Sequence, residues 1–139
     1  MKKIYLITCG LLFLVITTSK AQISGVFTVP GSYTSIAAVI NDLNTQGVNG
    51  PVTINISAGY TETAPLNGFS LTATGTATSS IIFQKSGIGA NPLITAYTGG
   101  VGTPGTALQD GVWRLIGSDY ITINGIDLND PNTTNPATM

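Results

Sequence analysis

The chain is expected to be all-β, with one helix close to its N-terminus. Three observations lead there. From Pro51 onward apolar residues recur with a period of two. The segments between them are rich in Gly, Thr, Ser and Asn, and the Thr residues suit strands while Gly and Asn suit turns. Only Ile36, Val39, Ile40 and Leu43 keep the i, i+3, i+4, i+7 spacing that places four apolar side chains on one helical face.

Residues 1–21 are read as an export signal preceding the folded part. Lys2 and Lys3 form a cationic start, Ile4 to Ile16 an apolar run, and Ser19-Lys20-Ala21 a cleavage site ending in small residues. The apolar run is shorter than the roughly 20 residues of a spanning helix. The mature chain is expected to begin at Gln22, to act outside the cytoplasm as a secreted or outer-membrane-surface protein, and to keep no transmembrane segment. Cys9 lies inside the apolar run and reads as a small hydrophobe there.

Removing 1–21 changes the composition. Lys85 and Arg114 are then the remaining cations, against Asp42, Glu62, Asp110, Asp119, Asp127 and Asp130. A mildly acidic chain lacks the basic stripe that neutralises phosphates, so nucleic acid is not an expected partner. The mature part has neither cysteine nor histidine. That excludes disulfides, thiolate or imidazole metal sites and Ser-His-Asp or Cys-His nucleophiles within these residues. Catalysis, if any, would fall to carboxylates, Arg114, Lys85, tyrosines or a calcium ion.

Residues 22–50 should hold a strand and a capping helix. Gly25 to Val29 reads as the strand, closed by Pro30-Gly31. The helix follows, with Ser32 or Thr34 as the N-cap and Gly47 at the left-handed position after its end. In residues 51–139, Val52, Ile54 and Ile56 alternate with Thr53 and Asn55 as a half-buried strand. Further strands are expected at 69–73, 81–84, 93–96, 112–116 and 120–128, with Gly99-Gly100 and Pro104-Gly105 marking a surface excursion. Thr53-Ile54-Asn55-Ile56 is echoed by Thr122-Ile123-Asn124-Gly125-Ile126. The offset would accommodate three coils of roughly 23 residues, although Ile81 to Phe83 falls off that schedule.

Asn124-Gly125, flanked by alternating Ile121, Ile123, Ile126 and Leu128, allows two arrangements. One is a tight hairpin in an antiparallel sandwich. The other is a bend between successive strands of one parallel coil, with the apolar residues turned into a shared interior.

The order of motifs adds a resemblance. Tyr33-Thr34-Ser35-Ile36-Ala37-Ala38-Val39 leads to Leu43-Asn44-Thr45-Gln46-Gly47-Val48 and Gly50-Pro51-Val52-Thr53-Ile54. Gly59-Tyr60-Thr61-Glu62, Ile82-Phe83-Gln84-Lys85-Ser86-Gly87 and Asp119-Tyr120-Ile121-Thr122-Ile123-Asn124-Gly125-Ile126-Asp127-Leu128 follow. This resembles the N-terminal region of large secreted proteins of Bacteroidetes-type bacteria, built as right-handed parallel β-helices of the pectin-lyase-like kind. The resemblance implies the start of a right-handed parallel β-helix, an incomplete solenoid with one N-terminal capping helix. Residues 51–139 would be its first coils, truncated before the rest. An unfinished solenoid exposes its core and strand edges, which terminal caps otherwise cover.

Pectin-lyase-like enzymes place carboxylates, calcium and a basic residue on one face of the coil. The local candidates for calcium are Asp127, Asn129 and Asp130, with Asp119 upstream; Asp127 alternates with Ile126 and Leu128 and should point outward. Arg114 is a candidate for binding a uronate, and it alternates with Trp113, the expected core residue of the two. Were Trp113 exposed, it could stack on sugar rings together with Tyr60 or Tyr97. Glu62 reads as a solitary surface carboxylate. No cofactor is required, and no catalytic set of three or more charged residues on one face is visible. The expected function is therefore a non-catalytic structural or adhesive module whose partners are polysaccharides or cell-surface glycans. The alternative is the N-terminal part of a polysaccharide lyase or glycoside hydrolase.

Overall fold

A computed structural model describes residues 21–98 and 111–131. The cationic and apolar zones of the expected leader, the 99–110 excursion and the segment from Asn132 onward lie outside the described residues.

The described chain is largely β, in parallel sheets, with one helix. Its elements are β1 (Ile23–Val29), α1 (Ile36–Gln46), β2 (Val48–Ser57), β3 (Thr61–Thr63), β4 (Phe69–Leu71), β5 (Ile81–Ser86), β6 (Leu93–Thr95), β7 (Trp113–Leu115), β8 (Ile121–Asn124) and β9 (Asp127–Asn129). Three sheets form, in the orders β1-β2-β5-β8, β3-β6-β9 and β4-β7. All pairings between these strands are parallel. Each passage of the chain thus visits the sheets in the same sequence, laying β5, β6 and β7 beside β2, β3 and β4, and then β8 and β9 beside β5 and β6.

The register explains the sequence echo and corrects its period. Thr53-Ile54-Asn55 pairs with Ile82-Phe83-Gln84, which in turn pairs with Thr122-Ile123-Asn124. The two similar segments therefore lie two strands apart, on either side of an intermediate strand that shares their phase but not their residues. Coils of roughly 23 residues do not occur. Asn124-Gly125 is a bend rather than a hairpin turn, because β8 and β9 join different sheets. Gly125 adopts φ +66°, and a Cβ there would lie 3.2 Å from the Lys85 Cβ, so the corner favours glycine twice over.

Alternation sets the interior. Val52, Ile54 and Ile56 of β2, Ile81 and Phe83 of β5, Ile94 of β6 and Phe69 and Leu71 of β4 are buried, and no polar or charged residue joins them among the described residues. Ile36, Val39, Ile40 and Leu43 complete the same core from α1, which packs on β1 and β4. The helix face is therefore the one the periodicity predicts.

The cap is not. Ser35, not Ser32 or Thr34, is the N-cap, its Oγ accepting from Ala38 N at 3.1 Å. Ser32 is engaged upstream instead. Its Oγ accepts from Thr28 N at 3.2 Å and its own N–H donates to Thr28 Oγ1 at 3.0 Å, closing the turn after β1. At the other helix end Gly47 has φ +71° and donates to Leu43 O at 2.8 Å, as the left-handed C-terminal position requires.

Candidate functional site

Three places concentrate polar side chains, and each is positioned by the strand register. The first joins α1 to the β-sheets. A helix begins with N–H groups that have no intrahelical partner. Here Ile36 N donates to Glu62 Oε2 at 2.7 Å and Ala37 N to Glu62 Oε1 at 3.1 Å, while Ser35 takes Ala38 N. Glu62 sits at the middle of β3, paired with Ile94 and thus on the interior-facing row, where its carboxylate meets the positive end of the helix. The surface placement expected for Glu62 is corrected: it is half-buried and holds the helix. Tyr60 Oη adds a third donor at 2.7 Å to Oε2. Burial first, then the bond to Glu62 and its charge, raise the Tyr60 phenol above its ordinary range.

Asn44 secures the other end of α1. Its Nδ2 donates to Ser70 O at 2.8 Å, and its Oδ1 accepts from Thr72 N at 2.7 Å and Ala73 N at 3.0 Å. One amide thereby satisfies backbone groups along the free edge of β4. Between these two contacts, Asp42 accepts from Tyr33 Oη and Gln46 Nε2, both at 2.8 Å. The Tyr33 phenol is pushed up to about 12 by burial, with the Asp42 bond and charge acting in the same direction.

The second place is the outward face of β1-β2-β5-β8. Register puts Val26, Thr53, Ile82 and Thr122 in one row and Thr28, Asn55, Gln84 and Asn124 in the next. These positions alternate with the buried ones. Gln84 Nε2 donates to Asn55 Oδ1 at 2.9 Å, a bond between residues 29 apart that ties neighbouring strands through their side chains. No member of either row is charged. Neighbouring strands lie about 4.8 Å apart, so the rows form a regular array of hydroxyl, amide and aliphatic groups.

The third place is β9 and its surroundings. Leu128 pairs with the buried Ile94, which turns Asp127 and Asn129 outward on the same face. Asp127 Oδ1 accepts from Asn91 Nδ2 at 2.9 Å. Asp130 follows directly and is exposed. Among the described residues these carboxylates gather no third acidic, histidine or cysteine ligand. Asp119 belongs to the turn before β8, where its N–H donates to Thr74 Oγ1 at 3.0 Å and its carbonyl accepts from Gly75.

The aromatic candidates are not brought together. Trp113, paired with Phe69, packs its ring edge-on against Phe69 and Phe83 at centroid distances of 5.3 and 5.1 Å. Tyr60 precedes β3 with its hydroxyl on Glu62, and Tyr97 follows β6 and is exposed. Because β3 and β6 run parallel, the two tyrosines stand at opposite ends of their sheet. Arg114, next to Trp113, pairs with Ser70 on the outward side; its Nε is buried without a partner among the described residues.

Sequence reasoning did not find the Glu62 and Asn44 contacts. The available signal was Thr61-Glu62-Thr63, a polar strand whose central residue occupies an interior phase. No family model matches the chain, and no match was found among curated proteins or solved structures. No helix among the described residues is long and apolar enough to cross a membrane.

Proposed function

We propose that this chain forms the first coils of a right-handed parallel β-helix that works outside the cytoplasm as a structural or adhesive module. Its partners would be polysaccharides or cell-surface glycans. The leader zones at 1–21 support export, and the repeated visiting order of the three parallel sheets supports the solenoid. The resemblance to secreted pectin-lyase-like proteins points the same way.

One observation supports the non-catalytic reading: the charged side chains of Asp42, Glu62, Lys85 and Asp127 are engaged in holding the fold, while the two outward rows of the β1-β2-β5-β8 sheet are uncharged. Glu62 binds a helix terminus, Asp42 a tyrosine and a glutamine, Asp127 an asparagine, and Lys85 Nζ donates to Gly89 O. The Thr53–Asn124 rows, by contrast, offer hydroxyls and amides without a charge to polarise a scissile bond. Such a face suits reversible contact with neutral hydroxylated polymers.

The test is incubation of the exported protein with a panel of plant and algal polysaccharides, with and without calcium. Retention on one or more polymers with no new reducing ends or unsaturated products is the expected result. Product release by the purified chain would overturn the reading in favour of a lyase or hydrolase.

A further inference from the structure

The joint between α1 and the sheets is reciprocal. A strand residue, Glu62, closes the first turn of the helix by taking Ile36 N and Ala37 N on its carboxylate. A helix residue, Asn44, closes the edge of β4 in return. Phe69 N donates to Val112 O and Leu71 O accepts from Ile116 N, so these two residues turn their peptide groups toward β7. Ser70 and Thr72, which alternate with them, turn theirs to the opposite edge. There Asn44 Nδ2 donates to Ser70 O at 2.8 Å and Oδ1 accepts from Thr72 N at 2.7 Å. Those are the two bonds that a residue on a parallel neighbouring strand would make around Leu71. Val52 makes the first of them around its partner Ile81, donating to Ser80 O at 2.9 Å. One side-chain amide thus stands in for the peptide groups of a strand, and Ala73 N, at 3.0 Å from Oδ1, adds a third bond.

The connectivity gives this joint a further property. α1 lies in the connection between β1 and β2, which pair directly with each other over their own register. The helix can therefore leave without breaking a ladder bond. What holds it is the apolar face of Ile36, Val39, Ile40 and Leu43, with Glu62 fastening one end and Asn44 the other. We infer that α1 is a latched lid, which opens as one unit together with the β4 edge it covers while the parallel ladders stay closed. Such units open with a free energy of their own, below that of global unfolding. The two latches are coupled through the rigid helix, so loosening one frees the groups held by the other. With the lid open, Ser70 O, Thr72 N and Ala73 N lose their partner, and β4 presents the unpaired edge that sheets otherwise keep covered.

The experiment is native-state hydrogen exchange on the full chain, resolved by residue, under conditions where exchange reports the opening equilibrium. In the wild type the amides of Val39, Ile40, Thr72 and Ala73 should share one protection factor. It should lie at least tenfold below that of Ile54, in the middle of β2. Each latch is then removed and read at the other. Glu62→Gln should lower protection at Thr72 and Ala73 at least tenfold, and Asn44→Ala should do the same at Val39 and Ile40. Ile81→Val, a small deletion in the buried row of β5, should lower Ile54 protection about fivefold and leave the four lid amides unchanged.

A change of less than twofold at the far latch in either variant would show two independent clamps and overturn the inference. Lid amides protected as strongly as Ile54 in the wild type would also overturn it, because α1 would then yield only with the whole fold. Equal losses at Ile54 and at the lid amides in Ile81→Val would count against it for the same reason.

Discussion

Replacing Glu62 tests whether one carboxylate fastens α1 to β3. In Glu62→Gln the side chain keeps an acceptor oxygen, but its amide turns a donor toward groups that are themselves donors: Ile36 N, Ala37 N and Tyr60 Oη. A hydrogen bond to a charged group contributes about 1.5–3 kcal/mol net. A carboxylate at a helix N-terminus contributes about 0.3–1 kcal/mol at exposed sites. These describe overlapping interactions, and Glu62 is partly solvated, so they are not summed. The expected losses are about 2 kcal/mol for Glu62→Gln and about 3 kcal/mol for Glu62→Ala, which leaves all three donors without the carboxylate. At roughly 4 °C per kcal/mol for a domain of this size, Tm should fall by about 8 and 12 °C.

Urea denaturation and thermal circular dichroism on both variants provide the assay, with Tyr60→Phe and the double variant closing a thermodynamic cycle. Tyr60→Phe alone should cost about 1 kcal/mol, and less once Glu62 is gone. A Glu62→Gln protein within about 0.5 kcal/mol of wild type, the range of ordinary surface substitutions, would refute the fastening role.

Other perturbations have definite outcomes. Tyr33 keeps its proton in the folded state up to about 12, whereas the unfolded phenol releases it near 10.0, so the folded form binds more protons in between. Stability should be full below pH 10, fall as pH rises toward 12, and fall less steeply in Tyr33→Phe when followed by urea titration at each pH. Gly68→Ala should be severely destabilising, by about 3 kcal/mol or more, because φ is +71° and a Cβ would lie 2.0 Å from Gly111 O; equilibrium unfolding reads this directly. Trp113→Ala removes the ring wedged between Phe69 and Phe83 and should cost about 3 kcal/mol without loss of polysaccharide retention, as judged by denaturation and pull-down together.

Much of the fold was legible because it depends on period. The helical face of Ile36, Val39, Ile40 and Leu43 and the alternation of Val52, Ile54 and Ile56 both follow from burying one side of an element. Phase also predicted the outward turn of Asp127. Pairing was harder to read. The Thr53 and Thr122 segments look alike, yet the strand between them, Ile82-Phe83-Gln84, shares only the interior position of an apolar residue. Backbone bonds in a parallel ladder do not depend on side-chain identity, so an intermediate layer can lose all resemblance and keep its register.

β3 escaped for a related reason. Its interior residue is Glu62, which belongs there only because a helix terminus lies within reach, a long-range contact that local pattern does not encode. The Asn44 contact with Ser70, Thr72 and Ala73 is of the same kind, formed across 26 or more residues. Even the cap residue turned on context, since Ser32 had a partner in Thr28 and left Ser35 to start the helix.

Successive passages of the chain stacking in register on one sheet can be measured directly through the echoed segments. Cys9 is the single cysteine of the sequence, so in a Cys9→Ser background the chain can be labelled cleanly at introduced cysteines. Nitroxides at Thr53→Cys and Thr122→Cys should lie about two strand spacings apart, roughly 10 Å, and Thr53→Cys with Ile82→Cys about half that. The stacked arrangement predicts strong dipolar broadening for both pairs at protein concentrations low enough to be monomeric, larger for Thr53 with Ile82. Spectra of the doubly labelled Thr53/Thr122 chain equal to the sum of the two single labels would contradict it.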